Sequence, residues 1–96
     1  MIALAGVLTC GEADRAMVEG LLVDHIRLTL AEPGCLMFQA VADRCDPCRF
    51  LVAERFKDSA AFQAHQTRAA ASAWGKATAH LQRDFQITDT DPPPAG

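Results

Sequence analysis

Ninety-six residues make one small domain, and a net charge of −3 argues against the basic face that a nucleic-acid binder needs. Half of the residues are hydrophobic, yet no apolar run approaches the length that crosses a bilayer as a helix, so a membrane partner is not expected either. A core this small is thin, and so much apolar surface on a short chain points to association with a second copy.

The opening MIALAGVLTC has no Lys or Arg ahead of its apolar run and is too short for a secretory leader. It reads as a strand over Ile2 to Thr9, and the expected location is cytoplasmic. Ile2, Leu4 and Leu8 fall on one side, with Ala3, Ala5 and Val7 on the other, so neither face is expected to see much water. Gly11 interrupts the strand. From Glu12 to Ala31, the residues Val18, Leu21, Leu22, His25, Leu28 and Thr29 recur at spacings of three and four. The charges lie mostly elsewhere, which predicts an amphipathic helix. Glu32-Pro33-Gly34 ends it, because proline breaks the hydrogen-bond ladder and glycine accepts a left-handed turn.

Cys35 to Ala42 predicts a second strand, with Leu36, Phe38 and Ala40 opposite Met37, Gln39 and Val41. Asp43 to Cys48 is a short connection to a third strand, Arg49 to Phe56, and the pair forms a hairpin. Cysteines stand at 10, 35, 45 and 48 and are expected as thiols. Cys45-Asp-Pro-Cys48 has the spacing of half a zinc site or a redox pair. No second such pair completes a tetrad, and Asp-Pro marks a turn, so no metal is expected. In the third strand Phe50, Val52, Glu54 and Phe56 share one face, and Leu51, Ala53 and Arg55 the other. Asp58 and Ser59 offer capping oxygens to a helix over Asp58 to Gln66, in which Ala61, Phe62 and His65 fall on one side. Thr67 is expected to cap a further helix with Ala70, Ala73, Trp74, Ala77 and Leu81 as its buried stripe and Gly75 as its weak point. Phe85 and Ile87 alternate with Gln86 and Thr88 in a last strand. The chain then divides into a domain, 1–89, and a proline-rich tail, 90–96, expected to be disordered.

The order β-α-β-β-α-β is the split βαβ arrangement of α+β ferredoxin-like folds, an antiparallel sheet with helices on one face. The other face, apolar in its patterning, is expected to be covered by the sheet of a second protomer, closing a barrel-like homodimer.

Three residues on this plan converge on one layer: His25 from the first helix, Glu54 from the third strand and His65 from the second helix. A carboxylate and an imidazole on facing apolar surfaces supply a proton-transfer pocket, since the carboxylate fixes a tautomer and raises basicity. Each also has a structural reading, as a core histidine bonded to a carbonyl or a strand Glu paired with a cation. Phe38, Trp74 and Phe62 are candidate walls for a flat aromatic substrate, and Arg83 a candidate contact for an anionic oxygen. His80 reads as surface. No glycine-rich phosphate loop or nucleophile elbow appears, so no nucleotide cofactor is expected.

The segments Glu32-Pro33-Gly34-Cys35-Leu36, Arg49-Phe50, Glu54-Arg55-Phe56, Asp58 and Phe62-Gln63-Ala64-His65 resemble those of the antibiotic biosynthesis monooxygenase (ABM) family. His25 stands where many of those domains carry a histidine. The resemblance covers nearly all of the chain except the tail and implies a dimeric α/β barrel. One branch of the family oxygenates quinols or polyketide phenols without flavin, metal or haem; others degrade haem or isomerise a phosphorylated sugar. The haem branch uses an Asn on the first strand and a Trp where His65 stands here, and the polyketide branch leans on Tyr and Asn. This sequence contains neither Asn nor Tyr. The resemblance therefore implies a cofactor-independent monooxygenase acting on a small quinol or enolisable aromatic with dioxygen. His65, oriented by Glu54 or His25, is then the base. The alternatives are a proton-shuttling isomerase of a small carbonyl or phosphorylated metabolite, or a non-catalytic dimer that holds a small ligand.

Overall fold

The computed structural model describes residues 1–90. Four strands, β1 (Ile2–Thr9), β2 (Cys35–Ala42), β3 (Arg49–Phe56) and β4 (Gln82–Asp89), form one sheet in the order β2-β3-β1-β4, with every neighbouring pair antiparallel. Helix α1 (Arg15–Leu30) follows β1 after a 3-10 turn over Glu12–Asp14, and α2 (Ser59–Ala71) and α3 (Ala73–Ala77) lie between β3 and β4. This is the α+β ferredoxin-like arrangement.

Alternation decides which face is covered. Leu4 and Leu8 of β1 pair with Glu54 and Phe50 of β3, and these side chains turn toward the helices with Val52 and Phe56. The core joins Leu4, Leu8, Phe50 and Val52 to Val18 and Leu22 of α1, Trp74 of α3 and Leu81. Full burial of a side chain such as Phe56 stabilises the fold by about 1.5–3 kcal/mol. On the opposite face Val7, Leu51 and Val41 form one cross-strand row, and Val41 and Leu51 are exposed.

Helix α1 buries Val18, Leu22, His25 and Thr29, a narrower stripe than its sequence suggests. Leu28 is exposed and Leu21 only half-buried. Gly34 has no left-handed backbone. Its lack of a side chain matters because a Cβ there would sit 2.2 Å from the Cβ of Ala61, so glycine lets α2 lie against the turn. A register shift between Cys35 and Met37 brings Cys35 opposite Phe56, and Leu36 is left exposed instead of sharing the buried face of Phe38.

Asp58 caps α2 by accepting from Ala61 N at 2.8 Å, as its position predicts. The helix then runs five residues past Gln66, with Thr67 inside it. The break falls at Ser72, whose hydroxyl oxygen accepts from Gly75 N at 3.1 Å and caps α3. Leu81 lies beyond α3 and is buried on its own account. Gly75 is also a contact point: a Cβ there would stand 2.1 Å from the Ala69 carbonyl oxygen. The β2–β3 connection is a turn in which Asp43 and Asp46 accept from the backbone N–H groups of Cys45 and Cys48, each at 2.9 Å. All four cysteines are free thiols. Of the tail expected to be disordered, Thr90 exchanges hydrogen bonds with Met1 at 2.8 and 2.9 Å just past the end of β4; residues 91–96 lie outside the described residues. Among the described residues no helix is long and apolar enough to cross a membrane.

Candidate active site

Between the helices and the sheet lies a cavity of about 450 Å³, within the size range of small-molecule sites. Its floor comes from Leu4, Leu8, Phe50 and Val52, its roof from Leu22, Ala69 and Trp74, and its polar groups are His25, Glu54, His65, Gln66 and Arg83. His25, Glu54 and His65 are therefore brought together, as the strand and helix periodicities imply. Phe38, Trp74 and Arg83 also line the cavity. Phe62, expected among the substrate walls, does not. One turn before His65, its ring instead meets Phe56 edge-on at 5.7 Å.

His65 is 2% exposed, with a carboxylate beside each ring nitrogen. Nε2 faces Glu54 Oε1 at 3.5 Å with no hydrogen bond formed, so Oε1 remains unpartnered. Nδ1 lies 3.1 and 3.2 Å from the two oxygens of Glu32. Glu32 is fixed in turn by Arg68, whose Nε donates to it. Arg68 Nη2 donates to Thr29 Oγ1 at 3.0 Å, and that hydroxyl donates to the His25 carbonyl oxygen at 2.7 Å. One network thus ties α1, the α1–β2 turn and α2 together around a single imidazole. Sequence reading took Glu32 only as the end of a helix, and its tertiary role is absent from the local pattern.

Electrostatics follow from this burial. Desolvation raises the Glu54 carboxyl from 4.5 to about 7, and the Glu32 charge adds to the effect. His25 is lowered from 6.5 to about 4, first by desolvation and then by the charges of His65 and Arg68. Desolvation also lowers His65, against the upward pull of its bond to Glu32. With a proton on Nδ1 donated to Glu32, a neutral His65 presents a free lone pair at Nε2, on the Glu54 side. His25 stacks on Trp74 at 4.9 Å and 11°, and its Nδ1 is buried without a partner.

His80 pairs with Asp14 at 2.8 Å on the surface, away from these groups. Among the described residues no group of three or more His, Cys, Asp or Glu side chains is placed to hold a metal ion.

The fold and cavity define the class: a small ferredoxin-like domain whose helices roof an apolar pocket with an imidazole set between two carboxylates. The family model for antibiotic biosynthesis monooxygenases matches residues 1–77, and the chain belongs to that family. A Nitrosomonas europaea structure named "Putative antibiotic biosynthesis monooxygenase" is 19% identical over 94% of this chain and 98% of that one, with a TM-score of 0.82. One of the same name from Deinococcus radiodurans is 21% identical over 99% of this chain and 97% of that one, at a TM-score of 0.75. A second Nitrosomonas europaea protein, of unknown function, is 26% identical over 99% of this chain and 95% of that one, at 0.75. No curated protein matches the sequence.

Proposed function

We propose that the protein is a cofactor-independent monooxygenase that oxidises a small quinol or enolisable aromatic with dioxygen, using His65 as its base. The observation that supports this most is the pairing at His65, with Nδ1 on the Glu32–Arg68 pair and Nε2 turned toward the unpartnered Glu54 oxygen in an apolar cavity. Glu32 rather than Glu54 is then the group that orients the base.

Nε2 removes the hydroxyl proton of the substrate, and the phenolate transfers one electron to dioxygen. The resulting superoxide and aryloxyl radical combine at a ring C–H carbon. Protonation gives a hydroperoxide, and cleavage of its O–O bond with loss of water leaves a carbonyl. One oxygen atom stays on the ring and the other leaves as water. The substrate supplies all the electrons, so a phenol and dioxygen become a quinone and water. Glu54, which shares its proton near pH 7, is placed to return a proton to the departing oxygen. The apolar walls keep water from the radical pair.

The same reading includes a homodimer formed through the open sheet face, where Val7, Leu51 and Val41 make an apolar row.

Oxygen uptake by the purified protein with a panel of quinols and phenols, in the absence of added reductant, tests the reaction. Consumption of one dioxygen per quinone formed is expected. Deuterium exchange into a carbonyl substrate without any oxygen uptake would replace this reading with that of an isomerase.

A further inference from the structure

Among the described residues that line the cavity, Arg83 is the only lysine or arginine. Its guanidinium is anchored at the end of α3: Nη1 donates to the Thr78 carbonyl at 2.7 Å, and Nη2 donates to Thr78 Oγ1 at 2.8 Å. Thr78 is fully buried, so the anchor is firm. Every one of these acceptors is neutral. Among the described residues no carboxylate stands within ion-pair distance of Arg83. Arg83 is exposed as a residue, and its guanidinium is desolvated only in part, with no protein anion to offset that. Capping the helix occupies Nη1 and Nη2 but leaves Nε–H uncommitted and the charge unmatched.

The acid of the cavity sits elsewhere. Arg83 pairs across β1 with Leu8, and Glu54 with Leu4, on opposite sides of that strand. Four residues along a strand span about 13 Å, and two strand spacings add about 9–10 Å across the sheet. The two groups therefore stand at opposite corners of the site, which the apolar floor and the Trp74–His25 stack also line. A ligand that satisfies both ends has a flat apolar body, an anion at one end and a hydroxyl at the other.

We propose that the cavity selects aromatic or enolic acids, with a carboxylate seated on Arg83 and an ionisable hydroxyl at the Glu54–His65 end. This names the substrate class of the oxygenase proposed above and rests on that reading only for what happens after binding. One guanidinium matches a carboxylate in charge, and its free Nε–H supplies a donor; a phosphomonoester would keep a second charge unmatched.

The test is calorimetric titration of the full chain with 6-hydroxy-2-naphthoate, 2-naphthol and 6-hydroxy-2-naphthyl phosphate, compounds that share a free hydroxyl and differ at the end assigned to Arg83. The carboxylate is expected to bind roughly ten- to a hundred-fold tighter than 2-naphthol, the range of a charge-assisted hydrogen bond. Arg83→Gln should collapse that ratio toward one, and Arg83→Lys should restore part of it. Equal affinities in the unaltered protein overturn the proposal, as does a ratio that survives Arg83→Gln. Tighter binding of the phosphate overturns the assignment to carboxylates. The comparison among ligands needs no variant to fold. It is read without turnover, so a negative oxygen-uptake assay leaves it standing.

Discussion

Nδ1 of His65 lies 3.1 and 3.2 Å from the two carboxylate oxygens of Glu32, a residue 33 positions earlier in the chain. An imidazole gripped at one nitrogen by an ionised carboxylate has one tautomer available, and its other nitrogen is the basic one. Glu32→Gln removes the charge while keeping the shape. Turnover is expected to fall about ten-fold or more with little change in KM, because Glu32 does not line the cavity. Nitrogen NMR of the imidazole checks the cause directly: the unaltered protein should show the Nδ1–H tautomer of His65, and the variant a mixture.

His65→Ala should lose about a hundred- to ten-thousand-fold in turnover if Nε2 is the base. Oxygen uptake under saturating substrate measures this. Turnover unchanged within a factor of a few takes the imidazole out of the chemistry.

Glu54 predicts a pH dependence of stability. In the folded protein its carboxyl keeps its proton up to about pH 7, whereas the unfolded chain releases it near the ordinary value of 4.5. Between those values the folded state holds more protons, so stability falls as pH rises, by on the order of 3 kcal/mol at the end of the window. His25 runs the other way. Lowered to about 4, it makes the folded state lose stability as pH drops below 6.5. Glu54→Gln cannot ionise, so its Tm should exceed that of the unaltered protein at pH 8 and lose that advantage at pH 5. Calorimetric scans at the two pH values check the sign.

Gly75→Ala should destabilise the fold by about 1–3 kcal/mol, because the new methyl would meet the Ala69 carbonyl oxygen and the Ala70 Cα. Helix propensity alone predicts the opposite sign, since alanine is the better helix former. Urea denaturation decides between them.

Leu51→Lys on the open sheet face should shift the sedimentation of the protein from dimer toward monomer at micromolar concentration. It should leave the cavity side of β3 intact, since Leu51 points away from it. A monomer in both proteins removes the paired-sheet assembly.

Much of the architecture is readable in one dimension because burial has a period. Alternation along Arg49–Phe56 places Glu54 on the covered face, and spacing along α1 places His25 there too. Where a single residue breaks the count, the pattern misleads. The shift between Cys35 and Met37 exposes Leu36, and the Ser72 cap divides two helices where Thr67 invites the division. Phe62 obeys its period and still misses the cavity, because the ring of Phe56 meets it first.

Strand and helix order, the face each strand presents and the presence of an acid and two imidazoles on covered surfaces are legible from the residues alone. These follow from periodicity, which records whether a position is buried. Folding in three dimensions settles which nitrogen of His65 meets which carboxylate, that Glu32 and Arg68 hold it, and that Arg83 lines the cavity with no anion beside it among the described residues. Those are distances between side chains from different elements. Packing sets them, and no local pattern encodes them.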